Sequence, residues 1–124
     1  MLHSILIVDD NSAIRRLVRL QVEMSTGWTI YEAENGREAI EQARELHPDL
    51  IVLDLSMPVM NGIDAARELK AIMPRVPLII FSEHSNVMSV EEAYCAGISA
   101  QVSKSKPISE LVGKARTLLD QLAA

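Results

Sequence analysis

Aromatic residues make up only 3% of this 124-residue chain, and cysteine occurs once. So few rings exclude an aromatic-rich binding surface and leave an aliphatic core. The lone Cys95 cannot close an internal disulfide. Near a helix end, it reads as a small, partly buried side chain. Clustered basic charge is also missing: the formal net charge is −5, and a nucleic-acid partner needs a basic face for its phosphates. No apolar run approaches the roughly 18 residues that span a bilayer, and the N-terminus has no secretory pattern of charge, apolar stretch and cleavage site. These absences describe a cytoplasmic protein with no direct nucleic-acid or membrane partner. No repeat, low-complexity tract or linker interrupts the chain, so residues 1–124 read as a single domain with one core.

Hydrophobic residues make up 48% of the chain, with six Met that read as core filler. Short branched runs at 4–8, 29–32, 50–54, 77–82 and 100–103 have the length and composition of buried strands. Helical spacing fills the gaps between them. Ile14, Leu17, Val18 and Val22 share one face, with Arg15, Arg16, Arg19 and Glu23 toward water and Asn11 or Ser12 as cap. A second helix starts near Asn35-Gly36, turns Ala39, Ile40, Ala43 and Leu46 inward, and stops before Pro48. A third, over 62–73, buries Ile63, Ala66, Leu69 and Met73. A fourth, over 87–96, is closed by Gly97. The last repeats Ile108, Leu111, Val112, Ala115, Leu118, Leu119 and Leu122 behind Pro107, which suits a first turn. Five strict β/α alternations predict a doubly wound α/β fold: a parallel sheet with right-handed crossovers and helices on both faces.

Open sheets of this kind bind ligands at the carboxyl ends of their strands. Asp9 and Asp10 follow the first run, Asp54 closes the third, Ser82 the fourth, and Lys104 follows the fifth. Asp-Asp alone also fits an acid pair at a helix N-terminus, Ser82 alone a turn residue, and Lys104 alone a solvated lysine. Their convergence on one sheet edge is what marks a site. Two carboxylates about 4 Å apart repel by roughly 4 kcal/mol at an effective dielectric near 20. That repulsion calls for a counter-charge, and Mg²⁺ meets it with one or two carboxylates, several waters and phosphate oxygens. Asp54 is then placed to attack phosphorus as a nucleophile, while Lys104 and the Ser82 hydroxyl bind the remaining phosphoryl oxygens.

Taken in order, the segments Ile5-Leu6-Ile7-Val8-Asp9-Asp10-Asn11, Asp54-Leu55-Ser56-Met57-Pro58 with Gly62, Ile79-Ile80-Phe81-Ser82, and Ala96-Gly97 leading to Ser103-Lys104 resemble the receiver domains of two-component response regulators over essentially the whole chain. The resemblance implies a flavodoxin-like (βα)5 fold with strand order 2-1-3-4-5. It implies that Asp54 accepts a phosphoryl group from the phosphohistidine of a sensor kinase or phosphotransfer protein, with Mg²⁺ or Mn²⁺ required. Asp10 then binds the metal directly, Asp9 directly or through water, and Ser56 through its backbone carbonyl, with Asp54 completing the set. Ser82 becomes the switch hydroxyl and Lys104 the phosphate's partner. The output is a change in the face formed by the fourth helix, fifth strand and fifth helix, read by a downstream protein, a fused output domain or a second copy of the chain.

Four positions bear on how this switch is tuned. Gln101 stands where many receivers carry an aromatic residue, three before the lysine, which alters the usual coupling of hydroxyl and ring. Glu83 follows Ser82 where a small residue is common; its carboxylate either slows transfer or points to solvent. Ser105 replaces a frequent proline, and Lys106 in the next loop is a second, less fitting candidate for the site lysine. His84, two residues beyond Ser82, is the one histidine placed to influence water attack on an aspartyl phosphate. His3 and His47 lack metal-ligand spacing. Two other functions compete with the phosphorylated switch. One is a scaffold with its switch impaired at Gln101 and Glu83. The other is an aspartyl-phosphate phosphatase, for which Ser56 stands where a general acid is needed.

Overall fold

The computed structural model describes residues 3–55, 59–83 and 89–123. Strands β1 (Ser4–Val8), β2 (Thr29–Ala33), β3 (Leu50–Leu53), β4 (Leu78–Ser82) and β5 (Ala100–Ser103) alternate with helices α1 (Ser12–Thr26), α2 (Gly36–Leu46), α3 (Gly62–Ile72), α4 (Val90–Ala96) and α5 (Ile108–Ala123). The sheet order is β2-β1-β3-β4-β5 with every pairing parallel. The doubly wound parallel sheet is what the alternation predicts, and its strand order is the one the resemblance implies. Each strand's period-2 alternation splits the core in two. Leu6, Val8, Ile51, Leu53, Leu78 and Ile80 pack under α2, α3 and α4, whereas Ile5, Ile7, Leu50, Val52, Ile79 and Phe81 pack under α1 and α5. β3 is buried on both faces, which is why its sequence is a continuous apolar run.

Local signals set the helix ends. The Asn11 side chain accepts from the Ala13 and Ile14 amides to cap α1, and Asn35, Asn61 and Ser89 cap α2, α3 and α4 in the same way. Gly27 and Gly97 close α1 and α4 in the left-handed region. His47 does so for α2 at a φ of 49°, two residues before Asp49.

Several sequence expectations are corrected. Leu17 is 51% exposed, because consecutive helical positions are about 100° apart and the stripe of Ile14, Val18 and Val22 already faces the sheet. Leu46, in the last turn of α2, is also exposed. Of the three methionines among the described residues, Met60 and Met73 pack partly buried against the core as expected, whereas Met24 is exposed. Cys95 is exposed. Arg15, expected in water, is half-buried. Ala65, not expected inside, is fully buried on α3, where a Cβ on Gly36 would lie 3.0 Å from its Cβ. That close approach of α2 and α3 explains the glycine opening α2. Val87, at the expected start of α4, and the Leu122 side chain lie outside the described residues.

Candidate functional site

Register brings the acids together. β1 and β3 are adjacent, and Val8 pairs with Leu53, so the next residues, Asp9 and Asp54, emerge level at the carboxyl edge. Chain order reverses between these strands, and such a switch point opens a crevice. Asp54 is 6% exposed and Asp9 3%, while Asp10 is exposed. One carboxylate oxygen from each of Asp9, Asp10 and Asp54 lies within 4.8 Å of the others.

Backbone contacts hold the two buried acids. The Asp9 amide donates to the Ala33 carbonyl (3.1 Å) and the Asp54 amide to the Val8 carbonyl (3.0 Å). Asp9 Oδ1 accepts the Asn11 amide at 2.9 Å. Gly62 lies against the chain just past Asp54: its amide donates to the Leu55 carbonyl at 3.0 Å, and a Cβ there would run into the Asp54 carbonyl oxygen. Glycine at this position is therefore a requirement of the site's backbone.

Lys104 reaches the cluster from β5, where its amide donates to the Ser82 carbonyl at 2.8 Å. Its long stem carries Nζ to 2.7 Å from Asp9 Oδ2 and 3.4 Å from Asp54 Oδ2, with the side chain only 9% exposed. Burial acts to lower the ammonium's pKa. The hydrogen bond and charge of Asp9, then the charge of Asp54, outweigh it and raise the value above 10.5. Lys104 is thus locked in the charged form. Lys106 is exposed, with its amide on the Ser103 carbonyl, so of the two lysines it is Lys104 that meets the acids.

Ser82 is 4% exposed, and its hydroxyl donates to the Glu83 carbonyl in a long 3.4 Å bond. Glu83 itself is exposed. Gln101 is half-buried on β5 beside Ile80. Ser56 and His84 lie outside the described residues.

The donor set suits a hard divalent cation. Three carboxylates facing one ammonium carry a formal charge of −3 against +1, and oxygen ligands offered by one or two acids are what Mg²⁺ takes while keeping waters for a substrate. The cluster can therefore hold a metal ion. One contact has no counterpart among the sequence expectations: Arg15 Nη1 donates to the Asp9 carbonyl at 2.6 Å while its Nε pairs with Glu32 Oε1 at 3.1 Å. Helical periodicity could not find it, because α1 presents Arg15 beside its buried stripe and only the fold brings Glu32 there.

Known proteins share both sequence and fold. The response regulator receiver domain model matches residues 5–116. The chemotaxis protein CheY of Thermotoga maritima is 38% identical over 109 residues, covering 87% of this chain and 90% of that protein. A protein-glutamate methylesterase/protein-glutamine glutaminase of Vibrio cholerae is 38% identical over 121 residues, 94% of this chain but only 32% of the enzyme. The chain thus spans about a third of that larger relative. A LuxR-family two-component response regulator from Aurantimonas superposes with a TM-score of 0.89 at 31% identity, over 98% of this chain and 87% of that one. Sequence and fold agree with these relatives over most of the chain, and the protein belongs to the response regulator receiver domain family.

Proposed function

We propose that the chain is a phosphoacceptor switch in which Asp54 takes a phosphoryl group from a phosphohistidine. The donor is a sensor histidine kinase or a phosphotransfer protein. An Asp54 oxygen attacks phosphorus; the new O–P bond forms as the P–N bond breaks. The bonding pair leaves with the imidazole, which departs neutral because its other nitrogen carries a proton. Asp9 and Asp10 would hold Mg²⁺ or Mn²⁺, which neutralises phosphoryl oxygens when bound.

The observation that carries this reading is the Lys104 ammonium shared between Asp9 and Asp54 at 2.7 and 3.4 Å. When phosphate arrives, the same ammonium pairs with a phosphoryl oxygen through a small displacement. Ser82 gives up only its long bond to the Glu83 carbonyl to donate to another oxygen. Added charge at Asp54 then favours whichever conformation of the α4-β5-α5 face accommodates it. Tyr94 on α4, 84% exposed, and Gln101 on β5 are the residues of that face placed to convey the change to a downstream protein, a fused output domain or a second copy. On this reading residues 1–124 work as a signalling module and not as a turnover enzyme, in the cytoplasm. No helix among the described residues is long and apolar enough to cross a membrane.

The test is incubation with acetyl phosphate and Mg²⁺ followed by intact-mass measurement. One added phosphoryl group is expected, lost in Asp54→Asn and when a chelator replaces Mg²⁺. Absence of any gain with both acetyl phosphate and a phosphohistidine donor refutes the proposal.

A further inference from the structure

We infer that Arg15 is a positioning residue for the acid cluster: aimed by Glu32, its guanidinium holds the Asp9 carbonyl and so fixes the Asp9–Asp10 peptide from which both metal-facing carboxylates project. The inference rests on the phosphoacceptor reading above and adds a residue to it.

The Asp9 carbonyl needs a partner because of where the strands stop. The Asp9 amide pairs with the Ala33 carbonyl, and Ala33 is the last residue of β2. In a parallel ladder the next amide of β2 would serve the Asp9 carbonyl. The chain instead turns into α2, and Arg15 Nη1 takes that place at 2.6 Å. A charged donor gives a shorter, stronger bond than the amide it replaces.

Arg15 is itself held. Its Nε pairs with Glu32 Oε1 at 3.1 Å, with the two side chains 15% and 26% exposed. Glu32 Oε2 accepts Arg19 Nη1 at 2.8 Å, and the Glu32 carbonyl accepts Gln42 Nε2 at 2.8 Å. Burial acts to raise the Glu32 pKa, but the hydrogen bonds from Arg19 and Arg15 prevail and lower it below 4.5. The carboxylate therefore stays ionised at neutral pH and keeps the guanidinium oriented. With Asn11 on Oδ1 and Lys104 on Oδ2, Asp9 is fixed through amide, carbonyl and both carboxylate oxygens. Asp10 is exposed and takes its direction from the peptide that Arg15 anchors.

Charge and positioning predict opposite signs. Deleting a cation beside an acidic site tightens metal binding by electrostatics alone. Loosening the peptide weakens it.

The experiment counts free Mn²⁺ by electron paramagnetic resonance during titration of the full chain, with thermal melts of each variant. Arg15→Ala is expected to weaken Mn²⁺ binding about 10-fold, the effect of removing an outer-shell partner of a metal ligand. Arg15→Lys, which keeps the charge with a single-pronged donor, should recover part of the loss, and it answers the question if Arg15→Ala does not fold. Arg16→Ala removes an exposed cation from the same helix and leaves Arg15 and Glu32 as they are, so it should stay within about twofold of the parent, as exposed charges contribute little. Binding by Arg15→Ala as tight as the parent or tighter overturns the inference. So does an equal loss in Arg16→Ala. A parent chain that binds no Mn²⁺ refutes the phosphoacceptor reading first and this inference with it.

Discussion

Replacing Asp54 by Asn should make the metal-free protein more stable. Asp54 and Asp9 are both buried, with carboxylate oxygens within 4.8 Å, a repulsion of at least about 3.5 kcal/mol at an effective dielectric near 20. Lys104 at 3.4 Å from Asp54 returns about 5 kcal/mol on the same scale. Asp10, exposed and so screened almost as in water, adds about 1 kcal/mol, and attraction and repulsion then nearly cancel. The charge also carries the cost of leaving water, several kcal/mol for a buried ion. Asparagine keeps the shape and an acceptor oxygen without the charge. A gain of about 1–3 kcal/mol is expected, roughly 3–10 °C in melting temperature for a domain of this size. Urea and thermal unfolding in the presence of a chelator measure it. Mg²⁺ at a hundred times its Kd should stabilise the parent by about 2.7 kcal/mol and the variant by less, so the gap narrows or closes. An Asp54→Asn protein that melts at or below the parent temperature in chelator refutes the reasoning.

Two further outcomes follow from the geometry. Gly62→Ala places a methyl group against the Asp54 carbonyl oxygen and 2.7 Å from Leu55 Cα; it should cost roughly 1–3 kcal/mol as an overpacked site and slow phosphorylation, and an unchanged urea midpoint would show that the backbone there yields to a methyl group. The raised Lys104 pKa means that its stabilising charge is fully present below pH 10.5 and is lost as pH climbs through the higher folded value. In chelator, unfolding free energy should decline above pH 10.5 in the parent and less so in Lys104→Met, whereas parallel declines in both would assign the effect elsewhere. Burial lowers the pKa of Lys70, which works in the opposite direction but equally in the two proteins.

Much of the architecture can be read in one dimension because its causes are local. The runs 4–8, 50–53 and 100–103 are strands by composition alone, and Asn11, Asn35 and Gly97 mark helix ends through their own side chains or lack of one. Strict alternation then leaves few topologies, and Asp9, Asp10, Asp54, Ser82 and Lys104 fall at strand ends by counting. Where side chains meet depends on register and on which helix covers which face, and periodicity does not carry that. Thus Leu17 and Leu46 share a sequence period with buried neighbours yet face water, because the sheet covers only part of each helix. Ala65 is buried because α2 approaches α3 at Gly36.

The same division holds at the site. The order of residues along the chain by itself determined which acids, hydroxyl and lysine lie at the sheet edge, since parallel strands must end on one side. Only tertiary structure decided that the Lys104 ammonium is shared between Asp9 and Asp54 at 2.7 and 3.4 Å, and that Arg15 leaves the solvent face of α1 for the Asp9 carbonyl. The physical reason is that β2 ends at Ala33, one pairing too soon to serve that carbonyl, and a guanidinium seventeen residues before Glu32 fills the place.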